Sequence, residues 1–148
     1  MSDGQLDLFS DRGGPGEAPV QHAAHGPPIL ATDLDDEVLI AAIPGAARAG
    51  ARPLADEAGR RRLGAAIPAL EELCRRFTGF GRTCPIPEQK AALEALTVIG
   101  GAKAAQAVAR MIERAVVQGP TLRDAVSAAA RLHATLRGDI SLGLLKVQ

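Results

Sequence analysis

The chain has 148 residues, enough for one domain with a real core, and its 47% hydrophobic content is mostly Ala, Leu, Val and Ile, with aromatics at only 2%. The lack of Trp and Tyr weighs against an aromatic cage or a base-stacking platform, and two cysteines are too few for a disulfide framework. A formal net charge of +0 hides an asymmetry: residues 1–47 hold one arginine and eight acids, whereas residues 48–148 hold sixteen Lys+Arg against nine Asp+Glu.

Residues 1–31 predict a disordered tail. Gly, Pro, Ser, Ala and His dominate after Phe9, and Pro15, Pro19, Pro27 and Pro28 break any helix. A dense apolar cluster, Leu6, Leu8 and Phe9, stands in this polar stretch, and such side chains need burial on a partner or on the chain's own body. His22 and His25 lack a third metal ligand, so no metal is expected. Helical signals begin at Asp33, with Asp35, Asp36 and Glu37 suited to the positive end of a helix dipole, and Val38, Leu39, Ala42 and Ile43 forming an apolar stripe.

Residues 44–53 read as a loop rich in Ala, Gly, Arg and Pro. A second helix is predicted over 54–66, with Ala58, Leu63, Ala66 and Ile67 inward and Arg60, Arg61 and Arg62 outside or at an edge. A third starts at Pro68 and buries Leu70, Leu73, Cys74 and Phe77. After a loop over 82–87, a fourth spans 88–99 and a fifth 102–117, separated by Gly100-Gly101. Thr121 with Asp124 suggests a capping box for a sixth helix reaching Leu136. Gly138 should stop it, and Ile140, Leu142, Leu144 and Leu145 begin a short apolar last element, which suits dimerisation, a docked partner or a chain cut short. The class is therefore all-α, with the domain over 32–148.

Gln5, Leu6, Asp7, Leu8 and Phe9 spell QLDLF. This string resembles the short peptide by which many bacterial replication and repair proteins dock on the DNA polymerase sliding clamp. The resemblance implies that Gln5 enters one small pocket, that Leu8 and Phe9 fill a second, apolar pocket, and that Leu6 and Asp7 are favoured residues between them. It covers these five residues alone.

Three stretches of the body can be laid over one another: 62–67, 95–100 and 131–136. Their leucines, Leu63, Leu96 and Leu132, stand 33 and 36 residues apart, a period that points to a solenoid. Over residues 33–137 the chain resembles the short bacterial form of the HEAT family. Residues 67–73 look like the first helix of a repeat, 90–100 like the second, and Leu122-Arg123-Asp124-Ala125 like the turn that opens a second helix. The resemblance implies a short α-solenoid of HEAT-like helix pairs whose concave face holds a partner protein. The long 82–87 loop and the Arg60–Arg62 run depart from the family pattern. An irregular helical bundle uses the same apolar spacing.

No catalytic set is visible. Gly79-Phe80-Gly81 lacks the glycine and lysine of a phosphate loop, and His133 has no carboxylate or nucleophile spaced to serve it. No cofactor is implied, and no stretch is apolar enough for a membrane span. Cys74 reads as a core residue and Cys84 as a loop thiol, with a reduced, cytoplasmic chain as the expectation. The sequence thus suggests a non-enzymatic adaptor in DNA replication or repair, docked on the clamp and holding a second partner. The alternative is a HEAT-type interaction module with no clamp link, assisting a modifying enzyme or lyase. Weak contact with DNA is assigned to Arg60, Arg61 and Arg62, three guanidinium groups spread around a helix, against the plainer reading of a solvated edge.

Overall fold

The computed structural model describes residues 29–147, with side chains described as far as Asp139. Among the described residues the protein is all-helical, with no strand. A short 3-10 turn, Ala31–Asp33, leads into α1 (Asp36–Ala42), α2 (Arg48–Arg60), a second 3-10 turn (Gly64–Ala66), α3 (Ile67–Arg75), α4 (Pro87–Ile99), α5 (Gly101–Glu113) and α6 (Gly119–Val147).

Most of the expected helices are present, with shifted ends. The α1 N-cap is Asp35 rather than Asp33, and its buried residues Leu39 and Ile43 leave Val38 exposed. Helix α2 starts at Arg48, inside the expected loop, and carries Pro53 within it. Proline lacks the N–H and normally breaks a helix. Here Pro53 lies in the second turn, where a single backbone bond is lost, and the face formed by Ala51, Ala55, Ala58 and Gly59 is buried along the whole helix. The predicted stop at Gly138 is also absent, since α6 continues through it to Val147. Thr121 lies inside α6 rather than at a capping box, and its hydroxyl accepts the Ile86 N–H at 3.1 Å.

Two helix ends that no glycine marks share one cause. At the end of α2, the Arg62 N–H donates to Gly59 O at 2.9 Å and the Leu63 N–H to Ala58 O at 3.1 Å. At the end of α5, the Ala115 N–H donates to Ile112 O at 3.1 Å and the Val116 N–H to Met111 O at 2.9 Å. Both are Schellman motifs, which need a left-handed residue that is usually glycine. The residues at those positions are Arg62, with φ 53°, and Ala115, with φ 54°. Each Cβ is strained there. Arg62→Gly and Ala115→Gly are each expected to raise stability by about 1 kcal/mol, read as a higher urea midpoint at unchanged slope.

Helix α4 is central: it packs most extensively on α2 and also on α3, α5 and α6. The remaining main contacts are α1 with α2, α3 with α5, and α5 with α6. At the α2–α4 crossing, Gly59 has no room for a side chain, because a Cβ would lie 2.9 Å from Ala95 Cα. Leu70, Leu73, Leu96, Val108, Met111 and Leu132 fill the core between the other helices. The buried Gln89 Nε2 donates to Cys74 O and to Val116 O, each at 3.0 Å, tying the ends of α3 and α5 to α4.

The three overlaid stretches are not equivalent in conformation. Leu96 and Leu132 are buried within α4 and α6. Leu63 is extended, with ψ 96°, and lies beyond the end of α2.

Candidate functional site

Gln5, Leu6, Asp7, Leu8 and Phe9 lie outside the described residues. The other predicted site, Arg60–Arg62, is described, and its three guanidinium groups do not share one helix face. Arg60 is the last residue of α2, Arg61 caps it, and Arg62 has already left the helix.

Their charges are also used differently. The Glu57 carboxylate accepts two hydrogen bonds from Arg60, at 2.9 and 2.6 Å, and one from Arg61 Nε at 2.7 Å. These bonds hold the Glu57 carboxyl down to about 2, against an ordinary value of 4.5. Arg61 then crosses to the segment before α1. It donates to the Leu34, Ala31 and Thr32 carbonyls and to Asp36 Oδ1. Its side chain is only 17% exposed. Arg61 is thus a staple between α2 and the start of the domain, whereas Arg60 and Arg62 are exposed.

A second feature is legible only in three dimensions. A groove of about 530 Å³ lies between the end of α3 and the loop that leads to α4. Its lining includes Phe77, Phe80, Cys84 and Ile86 together with Arg48 and Arg76. Phe80 is 63% exposed although it is one of only three phenylalanines in the chain. Arg76 is held by its own hydrogen bonds to Pro44 O at 3.0 Å and Ala46 O at 2.8 Å, and its guanidinium sits 5.6 Å from the Phe77 ring centroid. Arg48 Nε lies 3.6 Å from Oε1 of Glu88, a buried carboxylate on the first turn of α4, and keeps an 81% exposed side chain.

The groove loop is fixed from two sides. Besides the Ile86–Thr121 bond, the start of α6 presses on it: a Cβ on Gly119 would come within 2.5 Å of the Gly81 and Arg82 carbonyl oxygens. Gly81 itself has φ +82°, and a Cβ there would meet Ile86 Cγ1 at 2.7 Å. The sequence signal for this was present in Gly79, Gly81 and Gly119, but only their spatial convergence gives it meaning.

The two thiols differ in kind. Cys84 is exposed in the groove, whereas Cys74 is buried on α3, and burial, helped by the Glu71 carboxylate, pushes its thiol up to about 12. His133 is exposed on α6. Among the described residues, no group of three His, Cys, Asp or Glu side chains converges on a metal-sized site, and no helix is long and apolar enough to cross a membrane.

Compared with known proteins, the chain matches no family model, no curated protein and no solved structure.

Proposed function

We propose that this protein is a non-enzymatic adaptor that docks on the bacterial DNA polymerase sliding clamp through Gln5, Leu6, Asp7, Leu8 and Phe9 and holds a second partner on its helical body, in replication or repair. The observation that carries the reading is the QLDLF string itself: two large apolar anchors and a glutamine at the spacing of clamp-binding peptides, set in a polar stretch that offers them no neighbours in sequence to bury against.

For the body, the proposal is a short solenoid of three helix pairs, α1–α2, α3–α4 and α5–α6. Contacts within each pair, contacts of α4 with both α2 and α6, and the contact of α3 with α5 support it, since stacked pairs touch through matching helices. The leucine period supports it less, because Leu63 is displaced from the positions of Leu96 and Leu132. These same helix contacts favour, independently of the tail, the second reading: a HEAT-type interaction module with no clamp link. Any contact with DNA threaded through the clamp falls first to Arg62, since Arg61 is committed within the fold and Arg60, though exposed, is paired with Glu57.

The test is calorimetry of the full chain against a bacterial sliding clamp. Micromolar or tighter affinity, roughly −8 kcal/mol, is expected. The double substitution Leu8→Ala with Phe9→Ala should abolish binding, because both anchors are lost. Absence of heat at high concentrations of both proteins would leave the module reading in place and remove the clamp.

A further inference from the structure

We propose that the groove between α3 and the 79–86 loop is a docking site for a short peptide segment that carries a large apolar side chain next to a carboxylate. The inference deepens the adaptor reading, and rests on it only in making this segment part of the second partner.

The floor supplies the apolar half of the recognition. Phe80 and Ile86 line a space of about 530 Å³, room for one or two large side chains but not for the face of a folded protein. Phe80 leaves 63% of its surface to solvent, in a loop held by the Ile86–Thr121 bond and by the close approach of α6 at Gly119. A preformed groove avoids most of the ordering cost of binding.

The arginines supply the charged half. The groove walls include no acidic side chain. Arg76 is oriented by two backbone carbonyls, and among the described residues no carboxylate pairs with it, so its positive charge is placed but not neutralised. Arg48 adds a second, largely exposed guanidinium whose nearest acid, Glu88, is 3.6 Å away. A carboxylate entering the groove gains charge-assisted hydrogen bonds without displacing an existing ion pair of Arg76. Charge complementarity therefore selects an acidic segment, and the apolar floor selects one with an aromatic or leucine side chain. Single-stranded nucleic acid fits less well. Stacking needs successive open aromatic faces, and Phe77 already lies under Arg76.

The experiment is a fluorescence-anisotropy titration of the full chain with labelled synthetic peptides. A peptide of alternating Asp and Phe is expected to bind with a dissociation constant on the order of 10 µM. Peptides of alternating Lys and Phe, or Asp and Ser, should bind at least tenfold more weakly. Arg48→Glu and Phe80→Ser, both exposed positions, should each weaken the Asp–Phe peptide by tenfold or more. The Asp–Phe peptide should also slow modification of the Cys84 thiol by a disulfide reagent, while Cys74 stays inert in the native protein. Three results would each overturn the proposal: equal binding of the Lys–Phe peptide, no protection of Cys84, or an unlabelled oligothymidine that binds and is lost with Phe80→Ser. So would a dimer, seen by light scattering, that Phe80→Ser converts to monomer. If Phe80→Ser unfolds by circular dichroism, Arg48→Glu decides. Clamp affinity is measured on the same variants. It depends on Leu8 and Phe9 and not on Phe80, so failure of the groove and failure of the clamp reading are seen separately.

Discussion

Gly59→Val is expected to lower the stability of the protein by about 3 kcal/mol or more, seen as a much reduced urea midpoint by circular dichroism. The reason is the α2–α4 crossing. Even a Cβ at position 59 would stand 2.9 Å from Ala95 Cα and 3.1 Å from Ala95 Cβ, and backbone cannot yield as a flexible side chain can. Overpacking a close helix contact forces the helices apart and uncovers Ala55, Ala58 and Leu96, all fully buried. A second glycine of α2 supplies the control. Gly50 has nothing within 4 Å of its would-be Cβ, so Gly50→Ala should stabilise the same helix by roughly 0.5–1 kcal/mol. Opposite signs for two glycines of one helix would establish the crossing. If Gly59→Val unfolds like the unaltered protein, the α2–α4 packing described above is wrong.

That contrast also shows what could be read from sequence and what could not. The apolar spacing gave the class, because Leu70, Leu73 and Cys74, or Ala92, Leu93 and Leu96, fall on one side only when the chain is helical, and they are indeed buried. The ends were harder. Glycine and proline normally punctuate helices, yet Pro53 and Gly138 lie inside them while Arg62 and Ala115 end them. Local preference lost to burial of the α2 face at Pro53 and to a Schellman turn at Arg62 and Ala115, and no burial accounts for the continuation through the exposed Gly138. The arginine run looked like a single basic patch. A three-letter repeat carries no information on the acid that each member meets, and Glu57, one turn earlier, claims two of the three. The groove was illegible because its parts come from α2, α3 and a loop, and its rigidity comes from α6.

Gln89 is the clearest case of a residue whose role no pattern announces, and Gln89→Met is expected to cost about 1–3 kcal/mol. In sequence it is a polar residue in the first turn of a helix that begins Pro87-Glu88, where glutamine is ordinary surface. In the fold it is fully buried and its Nε2 serves two carbonyls at once, Cys74 O at the end of α3 and Val116 O just after α5. Cys74 O also accepts the Phe77 N–H at 3.1 Å, whereas Val116 O lies past the last turn of α5 and has the Gln89 amide as its side-chain donor. Its Oε1 has no hydrogen-bond partner among the described residues, so the side chain stabilises through the amide donor alone. Methionine keeps the volume and the helix propensity but removes that donor. Val116 O then loses its side-chain donor, at about 1–3 kcal/mol, while Cys74 O keeps the Phe77 N–H, and the loss is partly offset because an unpaired buried oxygen is removed as well. Gln89→Glu should be no milder, since a carboxylate facing two carbonyls must take up a proton to donate even one bond. Because α3 and the following loop carry the groove, the same substitution should also loosen Phe77 and Phe80. Hydrogen exchange of the 77–86 amides is the measurement that separates the two consequences: faster exchange there at conditions where the rest of the helices remain protected would place Gln89 as the support of the groove, and unchanged exchange would confine it to the core.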